Sequence, residues 1–424
     1  MSNTRTKPNS FSDVPAAPVD PMFVLKKEYD QDAYPLKVDL GAGVLRDQQG
    51  ACYELAVVKE AKRQLEELHL SHDYRPTTGN EAFRKNAARL MFGDQCETIK
   101  AGRIASIQTV AGTGACRIGA VFLKKYWSST SSSTPPSVHI GTPTWGNYHP
   151  LFKHAGFETS IETYPYLDTS QDIDLDSVLT ALNSAPDRSI FVFQGCCHNP
   201  TGRDYSMSQW TQIAEAMQAK GHFAFFDTAY QGLGHSAPED AWAVRHFTER
   251  NIDILVCQSF SKNAGLYSER VGALHVLCAT PSIANNVLDQ LRSLMRWEVS
   301  SAPAYGAELA NILMSNPALQ ARWQTELGTI RQGIASLRKE FHRQMTEYFK
   351  TPSPRTGTVD GWDHILKENG LFSWTGLTAA QTRSLIDKHH VYLPGNGRIN
   401  VSGLNATNIT RVAEAFNDVI KSSM

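Results

Sequence analysis

No stretch of this chain approaches the roughly 18 consecutive apolar residues that a membrane-spanning helix requires. Neither sign of charge is in excess. Lys and Arg number 41 and Asp and Glu 42, for a formal net charge of -1, so the composition does not point to nucleic acid or an anionic membrane as a partner. Cysteine is scarce: there are seven, an odd number, none lies in a Cys-x-x-Cys pair, and Cys196 and Cys197 are adjacent. A disulfide framework is not expected, nor a metal site; the cysteines read as small buried residues of a reducing compartment. The first twenty residues lack the apolar core of a signal peptide. They carry Arg5 and Lys7 but also Asp13 and Asp20, without an amphipathic repeat, which favours a cytoplasmic over a mitochondrial address. Internal repeats are lacking too.

What is present is ordinary globular material: 424 residues, 41% hydrophobic and 20% charged, enough for two or three domains with a sizeable core. Short apolar runs alternate with amphipathic stretches. Ser137 to Ile140, Ser189 to Phe193, Phe223 to Phe226, Ile252 to Val256 and Val271 to Leu277 read as buried strands. Helical spacing appears over Ser208 to Ala219, from Thr113 to Leu123, and from Asn316-Pro317 through Trp323, Leu327, Ile334 and Phe341. This pattern predicts an α/β fold with a largely parallel, covered sheet. The run Ser128 to Pro136 reads as a flexible surface loop. The last hundred residues read as a separate α/β layer, to which the long helix carries the chain.

Four junctions carry possible chemistry. Lys262, in Ser259-Phe260-Ser261-Lys262-Asn263, follows a buried strand. It is either a surface lysine or an amine delivered to a ligand site beyond the strand end, where it can form a Schiff base with a carbonyl cofactor. Asp227 ends an aromatic strand and is either a helix cap or a partner for a protonated pyridine nitrogen. Val110-Ala111-Gly112-Thr113-Gly114-Ala115 opens a helix and offers backbone N–H groups to an anion. It fits neither a dinucleotide nor a Walker fingerprint, so nucleotide binding is not indicated. Asn199, in His198-Asn199-Pro200-Thr201-Gly202, is either a plain turn or a side chain held at the sheet edge.

From about Pro21 to the C-terminus the chain resembles the fold-type I, pyridoxal-phosphate-dependent aspartate aminotransferases. The resemblance rests on Val38-Asp39-Leu40-Gly41-Ala42-Gly43, His72-Asp73-Tyr74, Gly112 to Ala120, Pro143-Thr144-Trp145 and His198 to Gly202. It continues through Asp227 to Gly232, Ser259 to Arg270, Phe372 to Leu377 and Gly397 to Leu404. It implies a large domain with a mostly parallel seven-stranded sheet plus a smaller α/β domain. The implied layout is an N-terminal arm at 1–20, a small domain from 21–52 and 330–424, and a large cofactor-binding domain at 53–329. It also implies a homodimer with shared active sites.

By the same resemblance, Lys262 forms an internal aldimine with pyridoxal 5'-phosphate and then moves the substrate proton. Asp227 pairs with the ring nitrogen, Tyr230 and Asn199 with the ring hydroxyl, and Trp145 stacks on the ring face. Ala111, Gly112, Thr113, Ser259, Ser261 and Arg270 hold the phosphate, and Tyr74 reaches the neighbouring subunit's cofactor. Gly43 lies at the substrate entrance. Arg398 clamps the α-carboxylate, and Arg296, seven residues before Pro303, reaches the distal carboxylate across the dimer. Two arginines imply dicarboxylic amino acids and their 2-oxo acids. The expected reaction is transfer between L-aspartate and 2-oxoglutarate, giving oxaloacetate and L-glutamate by a ping-pong mechanism.

Departures stand behind the cofactor. Tyr148 and Gln194 occupy positions where the family usually has histidines, Val44-Leu45 replaces an Ala-Tyr pair, and Arg75 to Thr78 is unusually polar. They keep open a divergent paralogue with another amino-acid substrate, or with a lyase, decarboxylase or condensation outcome.

Overall fold

The computed structural model describes residues 11–127 and 136–423. The first ten residues of the expected N-terminal arm and nearly all of the Ser128 to Pro136 loop lie outside the described residues. The strands are β1 (Val38–Asp39), β2 (Ile104–Val110), β3 (Val138–Thr142), β4 (Ile161–Pro165), β5 (Ile190–Gln194), β6 (Phe223–Thr228), β7 (Ile254–Ser259), β8 (Val271–Leu277), β9 (Phe372–Trp374), β10 (Val391–Tyr392) and β11 (Arg398–Asn400). Seven of them form one sheet in the order β2-β8-β7-β6-β5-β3-β4. The five strands β7, β6, β5, β3 and β4 run parallel.

The expected strands are all present, and their hydrophobicity has the expected cause. Every residue of β6, β7 and β8 is buried, as in a sheet covered on both faces. On one face lies the helix Ala111–Tyr126. Gly119 lets it approach: a Cβ there would stand 2.5 Å from Leu255 Cδ1. On the other face Trp210 and Phe247 pack on Phe226. The helix Met207–Lys220 is started by a Ser206/Gln209 capping box and stopped by Gly221 at φ 60°, where glycine takes the left-handed conformation without a Cβ penalty.

Two features differ from the sequence reading. The strand Val271–Leu277 runs antiparallel to both its neighbours. Its link from β7 spans only residues 260–270, with no helix to carry a parallel crossover. Strands β2 and β4 were not anticipated. In β4 three residues, Glu162, Thr163 and Pro165, are exposed, so non-apolar positions interrupt its signal.

The C-terminal layer holds two small sheets. β1 pairs in parallel with β10, and β9 antiparallel with β11. The two chain ends thus meet, and the Asn400 N–H donates to Leu40 O at 2.7 Å. The helix Pro317–Arg343 touches both regions. Trp323 Nε1 donates to Asn263 O at 2.7 Å beside the large sheet, and Arg338 Nη1 meets Glu368 Oε2 at 2.8 Å beneath the layer. Among the described residues no helix is long and apolar enough to cross a membrane.

Candidate active site

The strands β2, β3, β5, β6 and β7 deliver their last residues and following loops to one edge of the sheet, the place where open α/β sheets bind ligands. There a cleft of about 490 Å3, part of it open to solvent, is lined by Ala111, Gly112, Thr113, Trp145, Gln194, Asn199, Asp227, Ala229, Tyr230, Ser259, Ser261, Lys262 and Arg270. All eleven residues expected to hold a cofactor line it.

One end of the cleft suits a phosphate. The helix Ala111–Tyr126 points its N-terminus into it, and Ser259, Ser261, Thr113 and Arg270 add hydroxyls and a guanidinium. The turn is built tightly. Ala111 N–H donates to Arg270 O at 3.0 Å, and Thr109 Oγ1 donates to Ala111 O at 2.9 Å. A Cβ on Gly112 would stand 2.9 Å from Ser259 Cβ, so a larger residue would push into the cradle. Ala111 and Arg270 both adopt left-handed backbone, at φ 61° and 55°, a strain of about 1–2 kcal/mol per residue that functional turns tolerate.

The other end carries Asp227. Burial pushes its carboxyl up to about 6, against the hydrogen bond from Tyr148 and the charge of Lys262. Tyr148 donates to Asp227 Oδ2 at 2.7 Å. Cys116 and Cys257 lie close enough for the aspartate charge to raise their thiols. Lys262 stands between the two ends, its Nζ 5.2 Å from the Tyr230 ring centre. Burial pulls its amine below the usual lysine range; Arg270 and Arg398 act the same way and Asp227 opposes. Tyr230 is pushed up by burial and keeps its proton. A donor set of carboxylate, amine and anion cradle fits a zwitterionic aromatic phosphate such as pyridoxal phosphate.

Arg398 stands beside the cleft. Its Nη1 donates to Asn199 Oδ1 at 3.2 Å and its Nη2 to Gly41 O at 2.5 Å. Its Cζ lies 4.2 Å from the Phe372 ring centre. Its Nε is buried without a partner among the described residues, an unspent donor beside the cleft. Gly43 is nearby: a Cβ there would come within 3.0 Å of Phe372 Cζ. Two expected residues are not brought to this cleft within one chain. Tyr74 is 88% exposed, in a separate groove with Tyr305. Arg296, also exposed, donates to Ser300 Oγ at 2.6 Å.

The sequence reading did not place Phe372 under Arg398, nor Cys116 and Cys257 beside Asp227. The pattern Phe372-Ser373-Trp374 identifies a strand but not which neighbour its faces meet. Elsewhere Cys196, Cys197 and Asp240 bring three ligand-type atoms within 4.8 Å. The Asp240 carboxylate is occupied by the N–H groups of Gly232, Gly234 and His235.

Comparison with known proteins gives the same direction. Residues 35–416 match the family model of class I and II aminotransferases. The chain is 37% identical to the mitochondrial aspartate aminotransferase of Dictyostelium discoideum, over 98% of this chain and 94% of that protein. Its structure resembles the cytoplasmic aspartate aminotransferase of Saccharomyces cerevisiae, with a TM-score of 0.91 and 36% identity over 98% and 99% of the two chains. It also resembles the aromatic-amino-acid aminotransferase of Burkholderia pseudomallei, solved covalently bound to pyridoxal phosphate, with a TM-score of 0.90 and 35% identity over 97% and 100%.

Proposed function

The chain belongs to the class I and II aminotransferases, and from that premise we propose that it transfers the amino group between L-aspartate and 2-oxoglutarate, giving oxaloacetate and L-glutamate in ping-pong order. The observation that carries this reading is one cleft lined by the Lys262 amine, the Asp227 carboxylate and the Ser259, Ser261 and Arg270 anion cradle, with Asp227 and Arg270 both near enough to act on the amine. Pyridoxal phosphate, bound there, supplies a carbonyl that condenses with amines and a protonated ring that withdraws electrons.

The residues then divide the work. Arg270, the hydroxyls of Thr113, Ser259 and Ser261, and the N-terminus of the Ala111–Tyr126 helix hold the phosphate. Asp227, pushed up to about 6 by burial and so ionised at neutral pH, would hold the proton on the ring nitrogen. Tyr230 and Asn199 donate to the ring oxygen, and Trp145 walls the ring face. Arg398 binds the substrate α-carboxylate through its fork, the unspent Nε among its donors. Lys262 Nζ, kept neutral more readily by its burial, takes the proton from the substrate Cα.

We read the protein as a homodimer. The exposure of Tyr74 and Arg296 on a single chain supports their service to a second copy, where Arg296 would receive the distal carboxylate. We also read residues 21–52 and 330–424 as one small domain and 53–329 as the large one, supported by the β1–β10 pairing.

The test is the half-reaction. Cofactor-loaded protein given L-aspartate and no acceptor should release about one oxaloacetate per site. Adding 2-oxoglutarate should then yield L-glutamate. The likeness to an aromatic-amino-acid aminotransferase supports a second reading. A loaded protein that ignores aspartate but converts phenylalanine or tyrosine would replace the first reading with it.

A further inference from the structure

Two polar side chains, Gln194 in the cleft lining and Tyr148 behind Asp227, have no part in the chemistry above. Tyr148 is 1% exposed. Besides its hydrogen bond to Asp227 Oδ2, its ring meets Trp145 edge-on, with centres 5.2 Å apart. It therefore braces a carboxylate and a wall of the cleft at once. Gln194 uses both ends of its amide on one residue. Its Oε1 accepts from Asn199 N–H at 2.8 Å, and its Nε2 donates to Asn199 O at 2.9 Å. The Asn199 side chain, so anchored, meets Arg398 at 3.2 Å. Gln194 and Asp227 are register partners on β5 and β6, and Gln194 and Tyr148 line one small cavity beside them.

The groups around them share a property. Asp227 is faced by Tyr148 from the helix Tyr148–His154, Cys116 from the helix Ala111–Tyr126, Cys257 from β7 and Lys262 from the loop after β7. Burial raises the phenol and both thiols; for Cys116 its hydrogen bond with Cys257 comes first. In the small cavity behind Gln194 and Tyr148, His198 is pushed down to about 3 by burial. A glutamine amide does not titrate. The cation that acts on Asp227 is Lys262, and Arg398 meets the Asn199 side chain.

Resting on the pyridoxal phosphate reading, we propose that Tyr148 and Gln194 are uncharged positioning residues for the two polar edges of the cofactor ring. Tyr148 orients Asp227 toward the ring nitrogen, and Gln194 holds Asn199 toward the ring oxygen. Neither changes charge as pH crosses the range in which a histidine titrates. With Asp227 held ionised against the protonated ring nitrogen, neither brace adds a titration of its own in that range, and the loaded site should show a single spectroscopic step.

The experiment follows the absorption of the cofactor-loaded protein from mildly acid to mildly alkaline pH, together with the rate of cofactor release on dilution. Tyr148→Phe, Tyr148→His and Gln194→His are compared with the parent, and thermal midpoints confirm that each is folded. The parent should titrate in one step. Tyr148→Phe should shift that step and release cofactor at least about ten-fold faster, through loss of a hydrogen bond to a charged group. Tyr148→His should recover retention relative to Tyr148→Phe but add a second step near the histidine range. Gln194→His should add such a step as well. Two steps in the parent overturn the proposal, as does a Tyr148→Phe protein with the parent's midpoint and release rate. A parent that takes up no pyridoxal phosphate overturns the cofactor reading itself and this inference with it.

Discussion

Asp227 at the cleft and Glu368 beneath the C-terminal layer are both buried carboxylates, and burial pushes both up, to about 6 and about 7. Their surroundings differ. Glu368 is enclosed by arginines: Arg338 at 2.8 Å and Arg355 at 3.8 Å, with Arg203 near enough to act on it; His364, at 3.7 Å, is pushed down to about 3 by burial and stays neutral. Arg338 also donates to the carbonyls of Gly370 and Phe372, so the cluster ties the long helix to the segment that carries Phe372. Asp227 receives one phenol on one oxygen, and its nearby cation is the Lys262 amine. Glu368 is paired with arginines inside the fold and helps to hold it. Asp227, with a phenol on one oxygen, lines the cleft, the kind of placement by which a site keeps charge for a ligand.

Exchanging a residue on each side breaks the comparison most directly. Lys262→Ala should lower the transfer rate by about 10⁴-fold or more. The thermal midpoint of the cofactor-free protein should stay within about 2 °C of the parent; a collapse of that midpoint would mean that Lys262 is structural. Arg338→Ala should do the reverse. Removing one partner of a buried pair costs about 3–5 kcal/mol, read from the urea midpoint, while the residues that line the cleft are untouched. A loss under about 1 kcal/mol would show that Arg355 and Arg203 suffice for Glu368.

The pH dependence sharpens the contrast. The folded pKa of Asp227 lies above its ordinary 3.8, at about 6, so the folded chain binds the extra proton in that window. Its contribution to stability is complete below about pH 4 and is lost as pH rises through 6, a difference of about 3 kcal/mol. The cofactor-free Asp227→Asn protein should therefore gain on the parent by up to that amount between pH 4 and pH 7, in paired denaturant titrations. A constant gap would remove Asp227 from the account. The smallest effect is expected at Ala111. Ala111→Gly should raise stability by about 1 kcal/mol by relieving the left-handed backbone, visible as a small rise in the denaturant midpoint. A loss would mean that the Cβ packs usefully.

Much of the site was legible because each of its parts is local. Lys262 and Asp227 each follow a run of buried residues, and Gly112 opens a helix, so strand ends and helix starts could be marked along the chain. The family resemblance then joined them. Less legible were features that depend on what lies across a gap. The antiparallel course of Val271–Leu277 follows from a short link, not from its apolar residues, which read alike in either direction. Gln194 looks like the polar end of a strand until Asn199, five residues on, folds back onto its amide. Phe372 alternates like any strand residue, and only packing sets its ring on the Arg398 guanidinium.

By itself, then, the sequence determined which residues are chemically competent: an amine, a carboxylate, an anion-binding turn and two guanidinium groups, each tied to a predictable junction by hydrophobic patterning over a few neighbours. The tertiary structure decided which of them share a cleft, which carboxylate is paired with arginines and which is left with a phenol, and that Tyr74 and Arg296 are exposed outside that cleft. Those are questions of long-range contact and desolvation, and the charge state of a buried group depends on neighbours that come from distant parts of the chain.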